Sequence, residues 1–173
     1  MEVIIRHATP ADAAAMVAYG TQLSHEPDSN VEMSPGEFTH SIDSEKVILE
    51  QFLDSKNSIF LVVEYQDEII GMLSCQGGKR KVRQHVAHLS MSVREDFRGK
   101  GIGTKLMDAL LDWAKNNAML SRLELIVFAR NVQAIHLYQK FGFITEGCFH
   151  RAVHRNGEYL DTIPMALVWE AGK

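Results

Sequence analysis

The stretch Arg98–Gly103 reads RGKGIG and has a glycine at every second position. It follows an apolar run, His85–Val93, and precedes a segment whose apolar residues recur with the spacing of an amphipathic helix. Alternating glycines let a backbone curl with its N–H groups pointing inward, and a helix N-terminus adds about half a positive charge. Strand, turn and helix together predict a phosphate-binding site, with Arg98 and Lys100 as mobile positive charges at its rim.

Two common phosphate-binding patterns do not fit this turn. The P-loop requires Gly-Lys-Ser/Thr, whereas Lys100 is followed by Gly101. The dinucleotide fingerprint requires a glycine five residues after its first one, and counted from Gly101 that position is Leu106. A glycine-rich turn without a ligand is the alternative that the turn alone leaves open.

Outward from this turn, the sequence predicts strands with helices between some of them. Leu123–Phe128 is a strand after the helix, and a right-handed crossover would make it parallel to His85–Val93. Apolar patterns, caps and turn residues predict further strands at 3–6, 58–65, 68–75, 143–153 and 158–168, further helices at 9–20, 44–53 and 131–141, and hairpin turns at 66–67 and 156–157. We expect one α/β domain over residues 1–173, a mixed sheet with helices packed on it.

Composition and charge narrow the class of protein. Charged residues make up 23% of the chain and apolar residues 46%, and the formal net charge of −4 argues against nucleic acid as the main partner. No signal peptide and no apolar run of membrane-spanning length is visible, so we expect a cytoplasmic protein without a membrane partner. Cys75 and Cys148 lie in strand-like segments and are expected to be reduced, buried thiols.

Two blocks of the sequence resemble the GNAT superfamily of N-acetyltransferases. The first is Arg98–Gly103, which matches that family's pyrophosphate loop, Arg/Gln-x-x-Gly-x-Gly/Ala. The second is Asn131–Phe143, which matches Asn-x-x-Ala-x-x-Leu-Tyr-x-Lys-x-Gly-Phe, and the blocks have the family's order and separation. The resemblance extends to the opening and the tail of the chain. It implies the acyl-CoA N-acyltransferase fold, which is α/β with a mixed central sheet flanked by helices.

The same resemblance implies acetyl-CoA as the cosubstrate, bound where the two parallel strands splay apart. The pantetheine arm would pair with one strand and the pyrophosphate would sit on the glycine-rich turn. Asn131 and Tyr138 would lie near the thioester, and Lys140 would reach the nucleotide end. The cofactor-binding residues implied in this way are Met91, Ser92, Val93, Arg98, Gly99, Lys100, Gly101, Ile102, Gly103, Thr104, Asn131, Ala134, Tyr138 and Lys140.

The tail of the chain narrows the choice of acceptor substrate. Glu146-Gly147, Arg155–Asp161 and Met165-Ala166 resemble the branch of the family that acetylates small molecules such as amino acids. Ribosomal-protein N-terminal acetyltransferases often carry a Glu five residues before the Asn of the second block, and here Ile126 stands there. We therefore expect a small-molecule primary amine as acceptor and, by resemblance, a homodimer. The alternatives are a peptide or ribosomal-protein N-terminal acetyltransferase and a non-catalytic acetyl-CoA-binding module.

Direct acetyl transfer needs a neutral amine, a place for the oxyanion and a proton for the leaving thiolate. Tyr138 is the candidate general acid, although its helical spacing with other apolar residues also suits a core tyrosine. The candidate bases are His88, which could instead be a satisfied strand histidine, and Glu124, which could instead form an ion pair. A water chain to solvent is the third candidate for the base.

Two further groups of residues could suggest a binding site: two pairs of histidines and an acidic segment. The pairs His85 and His88, and His150 and His154, lack a cysteine or carboxylate partner at a recognisable metal spacing, so we expect no metal site. The segment Glu26–Asp43 carries five acidic residues. It could attract a cationic amine, or it could be a solvated surface loop.

Overall fold

The computed structural model describes residues 2–26, 30–33 and 36–170. Within them the strands are β1 (Ile4–His7), β2 (Ile59–Tyr65), β3 (Glu68–Gly77), β4 (Val86–Val93), β5 (Arg122–Phe128), β6 (Ile144–Thr145), β7 (Phe149–Arg155) and β8 (Glu158–Val168). The helices are α1 (Ala13–His25), α2 (Ile42–Leu53), α3 (Ile102–Lys115) and α4 (Val132–Lys140). None of these helices is both long and apolar enough to cross a membrane.

The strands form one mixed sheet in the order β1-β2-β3-β4-β5-β8-β6, and β7 pairs with β8 beside this path. The pairing of β4 with β5 is parallel, as the crossover rule predicted, and the other pairings are antiparallel. One face of the sheet packs on α3 through residues such as Leu89, Leu106 and Leu123. The other face packs on α1 and α2 through residues such as Leu49 and Phe60. The predicted α/β fold with a mixed sheet flanked by helices is confirmed.

Three predicted details were wrong. Helix α1 does not end at Gly20 but continues to His25. Gly20 lies within the helix and allows Phe38 to pack closely, since a Cβ there would lie 2.4 Å from the Phe38 ring. The predicted strand 143–153 is divided into β6 and β7. Cys148 lies between these two strands and is exposed, whereas Cys75 is buried, and burial raises the pKa of the Cys75 thiol to about 12.

An ion pair attaches β1 to the start of α1. The Arg6 guanidinium donates to both carboxylate oxygens of Asp12, at 2.9 and 2.8 Å, and the Thr9 backbone N–H donates to the same carboxylate at 2.8 Å. The Arg6 hydrogen bonds are the main reason why the pKa of Asp12 falls to about 2. This buried carboxylate therefore stabilises the fold only while it is ionised.

We expect Asp12 to contribute to acid sensitivity. Because its folded pKa lies below its unfolded value, its stabilisation of about 2 kcal/mol is present above pH 4 and is lost as the pH falls towards 2. The free energy of unfolding of Asp12→Asn, measured with urea, should therefore approach that of the wild type at low pH. A difference between the two proteins that stays constant from pH 7 to pH 2 would contradict this.

Candidate functional site

The central feature of the site is a gap between the parallel strands β4 and β5. These strands pair only over Val86–His88 and Arg122–Glu124, although β4 continues to Val93 and β5 to Phe128. Beyond His88, β4 keeps its antiparallel partner β3 on one side and has an unpaired edge on the other. Free backbone N–H and C=O groups bind extended polar ligands well. The predicted splay of these two strands is present.

A cavity of about 1050 Å³ includes this gap. The glycine-rich turn and α4 line it on one side, and α1, α2 and the outer face of β3 and β4 line it on the other. The cavity therefore joins the gap to the space under α1 and α2. All of the predicted cofactor-binding residues except Lys100 line it: Met91, Ser92, Val93, Arg98, Gly99, Gly101, Ile102, Gly103, Thr104, Asn131, Ala134, Tyr138 and Lys140.

The glycine-rich turn presents free backbone amides to the cavity. Gly99 and Gly101 have φ values of +71° and +80°, and Gly101 is the N-cap of α3. The first bond into the helix runs from the Lys105 N–H to the Gly101 carbonyl at 3.2 Å, and no side chain caps this end. The amides at the start of α3 therefore remain available to an anion, and the helix dipole favours a negative charge there.

Both cationic side chains of the turn have partners within the protein. The Arg98 Nε donates to the Val93 carbonyl at 2.8 Å, and a terminal nitrogen of Arg98 forms an ion pair with Glu26. The Lys100 Nζ donates to the Asp96 carbonyl at 2.8 Å. The turn therefore offers an anion two kinds of donor: the backbone amides at the start of α3 and the exposed ammonium of Lys100.

Helix α4 carries the second block of the resemblance. The Asn131 side chain accepts a hydrogen bond from the Ala134 N–H at 3.2 Å, which confirms Asn131 as the N-cap. Tyr138 is only 6% exposed, and its ring centroid lies 5.8 Å from that of Phe143. Its hydroxyl has no hydrogen-bond partner among the described residues. Burial raises the pKa of Tyr138 to about 12, so the phenol keeps its proton at neutral pH.

The sequence profile of the acetyltransferase (GNAT) family matches residues 28–143. The chain belongs to the GNAT family. It is 30% identical to the L-amino acid N-acetyltransferase AaaT of Escherichia coli K12 over 96% of this chain and 98% of that protein. It is 25% identical to the spermidine N(1)-acetyltransferase of the same strain over 75% and 78% of the two chains.

Solved structures of GNAT proteins share the fold. An acetyltransferase of the GNAT family from Streptococcus pneumoniae superposes with a TM-score of 0.92 at 29% identity, over 96% of this chain and 99% of that one. The protein yncA of Salmonella typhimurium, solved with its cofactor acetyl-CoA, has the same fold with a TM-score of 0.84 at 22% identity, over 100% and 97%. This GNAT chain is accordingly an acetyl-CoA-dependent N-acetyltransferase, as its two sequence blocks predicted.

The two candidate bases of this GNAT enzyme lie side by side, since His88 and Glu124 are paired in register on β4 and β5. His88 is exposed and lines the cavity. The Glu124 carboxylate accepts from Arg83 at 2.8 Å and from Arg122 at 3.0 Å, and it does not line the cavity. His88 therefore stays a prediction for the base, and the geometry favours the ion-pair alternative for Glu124.

Sequence reasoning missed two polar contacts at the cavity. The Tyr19 hydroxyl of α1 shares a hydrogen bond of 2.9 Å with the Ser92 hydroxyl of β4, and burial raises the pKa of Tyr19 to about 12. His40 Nδ1 lies 2.8 Å from the buried Glu45 carboxylate. The Tyr19 contact spans 73 positions of the chain, and no local pattern marks it.

The acidic segment divides into residues with different environments. Glu26 is buried, pairs with Arg98 and accepts a hydrogen bond from the Glu95 N–H at 3.2 Å. Glu32 is exposed and lines the cavity, whereas Asp28 lies outside the described residues. Glu26 thus belongs to the support of the glycine-rich turn, and the suggestion that it attracts a cationic amine was wrong.

We expect Glu26→Gln to destabilise the protein by about 1–3 kcal/mol, because it leaves the partly buried Arg98 guanidinium without its counter-charge. Glu32→Gln is the matched control, since that side chain is exposed and should change stability by less than about 0.5 kcal/mol. Urea unfolding of both variants measures the difference. Equal stabilities would mean that the pair with Arg98 contributes nothing.

A second group of polar side chains lies away from the cavity. His150 Nδ1 is 3.8 Å from Cys148 Sγ and 2.9 Å from an Asp161 carboxylate oxygen. No cysteine or carboxylate stands at a recognisable metal spacing from His150 along the chain, yet the structure places both kinds of side chain beside it. Asp161 stands on the neighbouring strand, β8, so the spacing of residues along the chain does not reveal this contact.

Proposed function

We propose that this GNAT enzyme transfers acetyl from acetyl-CoA to the primary amine of a small molecule such as an amino acid, by direct attack of the amine. The observation that carries the proposal is the single cavity that joins the gap between β4 and β5 to the space under α1 and α2. A thioester held in the gap would present its carbonyl to an amine held in that space. Similarity to the amino-acid acetyltransferase AaaT supports the same acceptor class.

Acetyl-CoA would be held mainly by backbone groups. The free edge of β4 over Met91–Val93 suits the amide groups of the pantetheine arm. The amides at the start of α3 suit the pyrophosphate. Lys140, exposed at the end of α4, suits the nucleotide end. These three anchors would fix the thioester sulfur near Tyr138, which lines the same cavity.

The acceptor space is mainly apolar. Its walls include Met16, Leu23, Val31, Met33, Phe38, Ile48, Phe52, Phe60 and Met72. Its polar wall is formed by β3 and β4, on the face of the sheet that α1 and α2 cover, and includes Ser74, Gln76 and His88. Of the described carboxylates, Glu32 and Glu45 line the cavity, and Glu45 is hydrogen-bonded to His40. An amine with an apolar body fits such walls better than a polycation, which needs several free carboxylates.

The chemistry follows from these positions. The neutral amine attacks the thioester carbonyl, and the new C–N bond forms as the carbonyl becomes an oxyanion. The amine proton passes to His88, or through water to solvent. The oxyanion then collapses, the C–S bond breaks, and Tyr138 gives its proton to the departing sulfur. Proton exchange with solvent restores the tyrosine.

A panel of amines tests this proposal. It contains apolar and acidic L-amino acids, spermidine and a peptide with a free N-terminus. The rate of thiol release measures turnover of each amine, and mass spectrometry identifies the acetylated product. We expect kcat/KM for apolar amino acids to exceed that for spermidine by more than about tenfold, because the additional ammonium groups of spermidine would have to leave water for a space with mainly apolar walls. Turnover of the peptide alone would replace the proposal with N-terminal acetylation. Binding of acetyl-CoA without thiol release from any amine would indicate a binding module.

A further inference from the structure

Three potential metal ligands converge on the outer hairpin of β7 and β8. They are Cys148 just before β7, His150 on β7 and Asp161 on β8. The sulfur, one ring nitrogen and one carboxylate oxygen all lie within 4.8 Å of one another. The residues are exposed or half-buried, so an ion could reach them from solvent. None of the three lines the acetyl-transfer cavity.

An irregularity in the hairpin brings these ligands together. Phe149 pairs with Thr162 and Val153 with Leu160, so three residues of β7 stand opposite Asp161 alone. Within this bulge Arg151 adopts a φ of +53°, in the left-handed region that a non-glycine residue rarely occupies. Bulges re-aim side chains, and here the bulge keeps His150 beside Asp161. Cys148, two residues before His150, reaches the same point.

The Asp161 carboxylate is already oriented by the backbone. The Arg151 N–H donates to its Oδ1 at 2.7 Å, which leaves Oδ2 directed at His150. The Arg151 hydrogen bond is also the main reason why the pKa of Asp161 lies below its usual range. Carboxylates that bind metals commonly have such an orienting hydrogen bond to the oxygen that faces away from the ion.

We propose that Cys148, His150 and Asp161 bind one Zn²⁺ ion, with water as the fourth ligand. Tetrahedral zinc with bonds of about 2.0–2.3 Å separates its ligand atoms by roughly 3.3–3.8 Å. The sulfur and nitrogen stand 3.8 Å apart, and the nitrogen and oxygen, at 2.9 Å, need to open by a few tenths of an ångström. Thiolate, imidazole and carboxylate together favour zinc over the harder magnesium and calcium ions.

Binding would release protons and reinforce the hairpin. The Cys148 thiol loses its proton to solvent as the Zn–S bond forms, and the His150 proton occupies Nε2 so that Nδ1 can bind the metal. The ion then links the bulge of β7 to β8, and it binds only the folded hairpin. Zinc in excess over its Kd should therefore raise the melting temperature of the protein.

Calorimetry with Zn²⁺ on the protein without an affinity tag tests the site, together with Co²⁺ as a spectroscopic probe. The wild type should bind one ion per chain, and Co²⁺ should give a thiolate charge-transfer band and the visible bands of a tetrahedral site. Cys148→Ser and Asp161→Asn should each lower the affinity by about a hundredfold or more, since losing a residue that merely orients a ligand already costs about 10- to 100-fold. The Asn variant can still accept the Arg151 N–H.

His154→Ala is the matched control. His154 is an exposed histidine on the same strand, stacked on Tyr159 and outside the cluster, so its loss should leave zinc affinity and the cobalt spectrum unchanged. Melting temperatures with and without zinc provide a second measurement, which should change for the wild type and for His154→Ala but not for Cys148→Ser. Equal zinc affinity in the wild type and Cys148→Ser, or no thiolate band with Co²⁺, would overturn the proposal.

Discussion

Replacing Gly101 with Asp is expected to weaken acetyl-CoA binding by at least about a hundredfold while the protein stays folded. A Cβ at Gly101 would meet no atom within 4 Å, so the new side chain has room and projects from the N-cap of α3. Its carboxylate would stand where we expect the pyrophosphate. Two unit charges about 4 Å apart near a protein surface repel by about 4 kcal/mol, which is more than a hundredfold in affinity.

Gly101→Asn is the matched control for this variant. Asn and Asp have nearly the same size, and both tolerate the left-handed φ of +80° better than other side chains do. The two variants therefore differ in charge, and the neutral one should lose less than about tenfold in acetyl-CoA affinity by calorimetry. Equal losses would indicate strain or bulk. Unchanged affinity in a folded Asp variant would mean that no phosphate binds at this turn.

Gly103 is a poorer position for the same test. A Cβ there would lie 3.0 Å from Leu137 Cδ2 and 3.7 Å from Met91 Cε. A new side chain there would have to displace the end of the Leu137 side chain, so a loss of affinity would mix packing with charge. Two glycines of this turn are therefore needed for different reasons. Gly101 adopts the left-handed conformation of the N-cap, and Gly103 allows α3 to approach α4 closely.

Features that depend on neighbouring residues could be predicted from the sequence. The cap at Asn131, the left-handed Gly142 after α4 and the tight turns at 66–67 and 156–157 all follow from short-range chemistry. The positive φ values of Gln66 and Asp67 show that the first turn adopts the hairpin geometry expected of it. The parallel pairing of β4 with β5 followed from the handedness of crossovers.

Contacts between distant residues could not be predicted in this way. Glu26 and Arg98 are 72 positions apart, and each alone resembles an ordinary surface charge. The end of α1 was misplaced because Gly20 looks like a helix terminator unless its contact with Phe38 is known. The Cys148 cluster depends on a strand bulge that moves Asp161 next to His150, and one sequence carries no signal for that register shift.

Tyr138→Phe is expected to lower kcat by about a hundred- to ten-thousand-fold while acetyl-CoA affinity stays nearly unchanged, which is the range of a positioned general acid. The ring packs beside Phe143, and phenylalanine keeps that packing. The hydroxyl makes no hydrogen bond within the described residues, so its removal breaks no internal contact. The thiolate would leave inside the same apolar wall that raises the pKa of Tyr138 to about 12, and the same desolvation raises the proton affinity of the sulfur.

Tyr19→Phe is the control, because it removes the other buried tyrosine hydroxyl, which is bonded to Ser92 on the acceptor side of β4. We expect it to change kcat by less than about tenfold, so a large loss confined to Tyr138→Phe would point to proton donation. The pH profile adds an independent check. An acid acts while protonated, and with a pKa of about 12 Tyr138 remains protonated up to pH 10, so it should produce no alkaline fall in kcat. If Tyr138→Phe instead unfolds the protein or leaves kcat intact, Tyr138 is a core residue and water supplies the proton.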